Sequence, residues 1–339
     1  MEGTPLDHKK LSQKSWGLTN LGSKLVIKRF FSDNYRMKCF RGDQNILYVI
    51  LPYFNYCGFN RRRELFIEFV NQISSERNIR IVVSEIVGPT PLGKLRGVWK
   101  HIKVQSDSRL WIKENLINLA VTHLPRDWKY MSWIDADITF INQYWVEDTI
   151  QALTEYDVVQ MWRSAVNLGP FGEVLKVDKS YGYMYKGSGT KWLPSDKYGF
   201  WHPGYAWACN RLAYDRMGGL IDWAILGSAD RHMAMGLTKN VLASCPGNIH
   251  QNYKTMLEEF QAKVARLKLG WVSGTIIHSW HGSMENRKYK ERWDILTKNN
   301  FDPFVDIGMT DKGVIELSKD GARFQPLLDD YFLGRKEDS

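Results

Sequence analysis

The chain has few cysteines, and no two of them are near neighbours. Cys39, Cys57, Cys209 and Cys245 are the only four in 339 residues and form no CxxC pair, so their spacing offers neither a zinc cage nor a redox dithiol. Reduced thiols in a reducing compartment are expected. Also missing is any uninterrupted apolar run of about 18 residues, and the first thirty positions lack the apolar centre a signal peptide needs. A cytoplasmic protein without a membrane span is the expectation. Internal repeats and low-complexity tracts are absent, and 44% hydrophobic with 24% charged residues excludes disorder as the main state.

What the chain has in excess is positive charge and aromatic rings. Lys and Arg number 46 against 37 Asp and Glu, a formal charge of +9, and the surplus is uneven. Residues 1–45 hold nine Lys/Arg against four Asp/Glu, and Arg61, Arg62 and Arg63 add a cluster. Anionic partners are favoured, whether nucleic-acid backbone, acidic polysaccharide or nucleotide diphosphate; charge alone does not choose. The 14 Trp, 16 Tyr and 15 Phe suit stacking on sugars or bases, although most are expected in the core.

Along the chain, residues 1–44 read as a basic arm. The run Ile46–Leu51, bounded by Asn45 and Pro52, predicts a strand buried on both faces. Leu65, Phe66, Phe69, Val70 and Ile73 then recur at helical spacing, and Ile79–Ile86 is again strand-like. This opening of strand, helix and strand predicts an α/β fold with a mainly parallel sheet. A helix over Leu110–Leu124 precedes the strand Tyr130–Ile134, and a helix over Trp145–Leu153 and a strand over Val158–Trp162 complete a first half, 45–165. The second half, 166–300, starts with a loop-rich stretch and continues with helices near Asn210–Met217, Asp230–Leu237 and Asn252–Leu267 and a strand over Trp271–His278. Residues 301–339 read as a surface tail.

Three constellations carry chemistry. Asp135 and Asp137 follow the strand Tyr130–Ile134, at the end where open α/β sheets bind ligands. Paired oxygen ligands suit a hard divalent cation holding a diphosphate, and the bland alternative is two solvated acids capping a turn. His278 and His281 leave the last strand, with Arg287 and Lys288 behind them. A histidine there could complete the coordination and the basic residues could grip a diphosphate; a structural histidine beside a basic turn is the alternative. In the third, Trp201, His202, Gly204, Tyr205 and Trp207 form an aromatic, glycine-containing stretch that could receive an acceptor, and Asp230, opening a helix, is either a general base or an N-cap. Glu85, at a strand end, and Lys113 with Asn115, on the helix before the acids, are lesser candidates for contacting a nucleotide.

Together these constellations resemble the nucleotide-sugar-dependent glycosyltransferases of the GT-A fold, with the DxD of that group matched by Asp135 and Asp137 in WIDADITF. The likeness spans roughly residues 45–335 and is closest to phage, viral and bacterial members carrying HPGYAWA, GGLIDWAILGSADRHMA and HSWHG-like stretches. It implies a Rossmann-like nucleotide-binding half and an acceptor half on a mixed, mainly parallel sheet flanked by helices. It also implies Mn²⁺ or Mg²⁺ held by Asp135 and Asp137 with His278 or His281, a nucleotide-sugar donor such as a UDP-sugar, and Asp230 as base. Hexosyl or pentosyl transfer is implied, to a glycan or to a hydroxymethylated base in DNA, with inversion or retention unassigned. A non-catalytic nucleic-acid- or glycan-binding protein is the rival reading.

Overall fold

The apolar run Ile46–Leu51 falls in β1 (Leu47–Tyr53), whose residues Val49, Ile50 and Leu51 are fully buried. In this computed structural model residues 45–188, 201–289 and 291–338 are described, so the basic arm expected over 1–44 lies outside the described residues. Alternation splits β1 between two cores: Leu47, Val49, Leu51 and Tyr53 face one and Ile50 the other. On the first face lies α1 (Asn60–Ile73), docked through Phe66, Phe69, Val70 and Ile73, each of which contributes roughly 1.5–3 kcal/mol on burial. Next come β2 (Ile79–Ile86), β3 (Val98–Val104), α2 (Lys113–Val121), β4 (Tyr130–Ile134) and β5 (Ile138–Phe140). Helix α3 (Trp145–Ala152) joins α1 on its face, while α2 buries Leu116, Ile117 and Ala120 on the opposite one.

Three further strands, β6 (Val158–Gln160), β7 (Ser164–Leu168) and β8 (Val174–Lys179), precede α4 (Tyr181–Ser188). After the undescribed segment come β9 (Ala206–Asn210), α5 (Arg211–Met217), α6 (Ala229–Leu237), α7 (Gln251–Val264), β10 (Leu269–Trp271) and β11 (Thr275–His278). The large sheet has the order β10-β6-β9-β4-β1-β2-β3, with β9 antiparallel to both its neighbours and every other pair parallel. This is the expected mixed, mainly parallel sheet flanked by helices. A second sheet, β5-β11-β7-β8, stands beside it. No described helix is long and apolar enough to cross a membrane.

Residues 301–338 are packed rather than a surface tail. They form α8's successors: after α8 (Glu291–Lys298) come α9 (Pro303–Asp306), the hairpin β12 (Ile307–Met309) and β13 (Ile315–Leu317), and α10 (Gln325–Leu333). Phe324, Leu328, Tyr331 and Phe332 are buried at positions i, i+4, i+7 and i+8, one face of a helix. Beyond α10 the chain runs back to the cleft. Gly282 (φ +90) lets it approach, because a Cβ there would lie 2.9 Å from the Lys336 carbonyl oxygen.

Candidate active site

The sheet register brings the acids and histidines together. Strand β4 belongs to the large sheet and β5 to the small one, so Asp135 and Asp137 bridge the two. Because β5 runs antiparallel to β11 with Ile138 opposite His278, Asp137 arrives beside the histidine, and its carbonyl accepts from Ser279 N at 2.8 Å. Asp137 Oδ2 stands 2.9 Å from His281 Nε2 and 3.7 Å from His278 Nε2. The three side chains offer ligand atoms within 4.8 Å of one another. Both histidines expected as rivals are thus at the same carboxylate.

Two features of this cluster suit a cation. Asp137 Oδ1 is buried without a hydrogen-bond partner. Arg287 Nη2 also lies 2.9 Å from His281 Nε2, and one ring nitrogen does not accept from a guanidinium and donate to a carboxylate at once. Burial, then Arg287, pushes His281 down to about 4, so its imidazole is neutral near pH 7. Burial works against ionising Asp137, yet His278 and His281 outweigh it and hold the carboxyl well below its usual range. A carboxylate beside two imidazoles is a donor set for a divalent transition cation.

Asp135 has different surroundings. It accepts a hydrogen bond from Lys113 Nζ at the start of α2. Burial pulls Lys113 down, but Asp135 and Glu114 overcome this and keep it charged. Burial raises the Asp135 carboxyl, with Asp137 adding to the rise and Lys113 opposing it. The two acids therefore face one cleft with separate partners, Lys113 for the first and the histidines for the second.

Across the cleft, of about 250 Å³, stands Asp230. It is not the N-cap: Ser228 occupies that position, and Asp230 sits in the first turn of α6 with Oδ1 accepting from Arg231 N at 2.7 Å. Gly204 lies between it and His202, where a Cβ would be 3.1 Å from Asp230 Oδ2 and 2.9 Å from His202 Cε1. Glu114 lines the same wall, and burial, reinforced by Asp230, pushes its carboxyl up to about 8.

The basic residues divide. Arg287 lines the cleft; Lys288 is exposed with Nζ toward Gly334 and does not. Sequence reasoning missed Arg62, Arg292, Arg335 and Glu337, which also line it. Arg62 was visible only as part of a charge cluster. Arg335 and Glu337 were hidden by reading their segment as surface. Glu337 accepts from Arg62 at 2.8 Å and from Arg335 at 2.6 Å. Glu85 is away from the cleft, accepting from Leu92 N at 2.9 Å and facing His101 Nε2 at 2.6 Å. Asn115 is structural too, accepting from Ile315 N at 3.1 Å and so holding β13. Of the aromatic stretch only His202, Gly204 and Tyr205 line the cleft. Trp201 and Trp207 are core side chains, the latter donating Nε1–H to the Pro203 carbonyl at 2.7 Å. Composition gave no sign of which ring faced which way.

No protein-family model matches the chain, and no curated protein matches it in sequence. Among solved structures it is similar to a mutant of Drosophila β1,4-galactosyltransferase 7 in complex with manganese, UDP-Gal and xylobiose, at 13% identity and a TM-score of 0.40, covering 84% of this chain and 98% of that one. It is similar to S. aureus TarS in complex with UDP-GlcNAc, at 12% identity and a TM-score of 0.45, covering 70% of this chain and 59% of that one. It is also similar to the mannosyltransferase PcManGT from Pyrobaculum calidifontis in complex with GDP-Man and Mn²⁺, at 13% identity and a TM-score of 0.43, covering 85% and 69%.

Proposed function

We propose that this cleft transfers a sugar from a nucleotide-sugar donor to an acceptor hydroxyl, with a divalent cation held by Asp137, His278 and His281 and with Asp230 as the base. The observation that carries the reading is the orphaned Asp137 Oδ1 within an Asp-His-His cluster, in the same cleft as a second, separately placed carboxylate. Imidazole ligands favour Mn²⁺ over Mg²⁺.

When bound, the cation supplies positive charge against the negative charge that grows on the departing diphosphate. The chain's own residues do the rest. Lys113 balances Asp135 and keeps that acid from repelling the donor. Arg287 lines the cleft and would hold phosphate oxygens by charge-assisted hydrogen bonds, while Arg292 donates to the Leu226 carbonyl at 3.0 Å and to Ser228 Oγ at 2.5 Å and so braces the start of the helix that carries Asp230. Gly204 leaves the space beside Asp230 in which an acceptor hydroxyl fits, and Asp230 takes its proton as the oxygen attacks the sugar carbon.

A glycan is the acceptor we favour. The arginine cluster that spoke for DNA is engaged within the protein: Arg61 donates to the Trp280 carbonyl, Arg62 to Glu337 and Arg63 to the Pro91 carbonyl. The test is a panel of UDP- and GDP-linked hexoses and pentoses, each with Mn²⁺ or with EDTA. One donor should stabilise the protein by roughly 2.7 kcal/mol at a hundredfold excess over its Kd, and only with Mn²⁺. Asp137→Ala should then keep the fold and lose turnover. Full turnover in that variant, or in EDTA, rules the proposal out, and silence across the panel favours a non-catalytic binding protein.

A further inference from the structure

Tyr205 has an unusual backbone for a large aromatic residue. Its φ is +77, in the left-handed region that side chains with a Cβ rarely adopt, and it is 7% exposed. Five contacts hold it there, one of them the tilted Trp162 ring at 5.4 Å between centroids. Its carbonyl accepts from Asp135 N at 2.7 Å, because β9 runs antiparallel to β4 and places Tyr205 across from the first acid. Its ring stacks on His202 at 4.1 Å between centroids and 6° between planes. The ring also meets His278, at 4.8 Å and 38°. Its hydroxyl donates to Asn167 Oδ1 at 2.6 Å, and Asn167 is the β7 residue paired directly with His278 on β11.

One residue therefore joins, through its carbonyl, the strand end that carries the acids to the strand that carries the histidine, which its ring meets. Strained backbone persists only where its surroundings over-determine it, and here the surroundings are the proposed cation site. We infer that Tyr205 is a positioning residue for that site: its ring, backed by His202, blocks rotation of His278 and keeps the imidazole aimed at Asp137. This assignment rests on the cation reading above, and it replaces the acceptor contact expected of Tyr205 from sequence.

His202 serves as the backing. Its Nδ1 accepts from Gly204 N at 3.1 Å, which fixes the ring orientation, and burial pushes it down to about 4, so it stacks as a neutral ring. The Tyr205 ring is thus clamped between two imidazoles, one from the acceptor side and one from the metal side.

The test needs no substrate. Mn²⁺ binding to the purified full chain is measured calorimetrically for the parent, Tyr205→Gly and Tyr205→Phe, with the metal-free thermal midpoint as a check on folding. Glycine accepts the φ and keeps the carbonyl bond to Asp135, so it removes the ring alone. Tyr205→Gly should weaken Mn²⁺ at least tenfold while Tyr205→Phe stays within about threefold of the parent, because it keeps the ring. Should the glycine variant fail to fold, Tyr205→Asn, which tolerates the left-handed region, takes its place with the same expectation. Parent-like affinity in the ring-less variant overturns the inference. So does an equal loss in Tyr205→Phe, which would assign the effect to the hydroxyl. A parent protein that binds no Mn²⁺ removes the cation site itself, a failure that the variants cannot mimic.

Discussion

Gly204→Ala is the smallest change that should separate sugar transfer from donor binding. Its added methyl would sit 2.9 Å from His202 Cε1 and 3.1 Å from Asp230 Oδ2. Neither neighbour yields easily: His202 is clamped against Tyr205, and Asp230 is tied to the Arg231 amide. The backbone of Gly204 is itself fixed, its carbonyl accepting from Gln160 Nε2 at 3.1 Å and Trp162 Nε1 at 3.3 Å. On the proposed placement the methyl takes the space of the acceptor oxygen and displaces it by about 1 Å, a misplacement expected to cost on the order of a hundredfold in rate. We expect kcat/KM for the acceptor to fall by about that factor, roughly 2.7 kcal/mol, with Mn²⁺ affinity and donor-dependent stabilisation kept within about threefold. The assay is nucleoside diphosphate release with the donor saturating and the acceptor varied. An unchanged kcat/KM would refute the placement of the acceptor between Gly204 and Asp230; an equal loss of donor binding would show that the methyl disturbs the whole cleft.

Glu337→Gln should destabilise the protein by about 3–5 kcal/mol in denaturant titration, since it leaves the guanidiniums of Arg62 and Arg335 without their shared buried carboxylate. His232, fully buried and facing Tyr253 Oη at 2.9 Å, is pushed down to about 3 by burial, with Arg231 and Arg292 adding to it. Below pH 6.5 the unfolded chain takes up a proton that the fold refuses, so stability falls with falling pH by about 1.4 kcal/mol per unit and is unaffected by this group above that pH. Between pH 7 and 5 the parent should lose about 2 kcal/mol more than His232→Gln, and parallel curves would exclude the effect. Phe69→Ala, on the buried face of α1, should cost about 3–5 kcal/mol in the same titration, and a loss under 1 would mean that α1 is not docked as described.

How much of this was legible in the sequence follows from the range of the interactions involved. The runs that became β1, α1, β2 and β4 carry their own signal, because burial on one or two faces imposes a period of helix or strand on adjacent residues. Asp135 and Asp137 were found for that reason: their strand announces itself. The second sheet did not, since β5 is three residues long and owes its place to pairing with β11, far along the chain. That pairing puts both His278 and His281 at Asp137, where the sequence alone leads to the expectation that one of the two completes the coordination and leaves open which. Trp201 and Trp207 misled because a ring's facing depends on which strand it meets, and β9 inserts antiparallel into an otherwise parallel sheet. In 301–339 the helical period of Phe324, Leu328, Tyr331 and Phe332 was present and was outweighed by the polar residues between them.

The step from one sheet to the other across a single alanine makes the site a gauge of their alignment. Asp135 stands at the end of a strand of the large sheet and Asp137 at the start of a strand of the small one, so the distance between the two carboxylates depends on how the sheets are aligned. If the proposed cation is held at Asp137, the amide of Ser279, bound to the Asp137 carbonyl, should exchange its hydrogen more slowly when Mn²⁺ is added. Loading of the proposed site should thus register at a backbone position on the seam between the two sheets, outside the proposed ligand set.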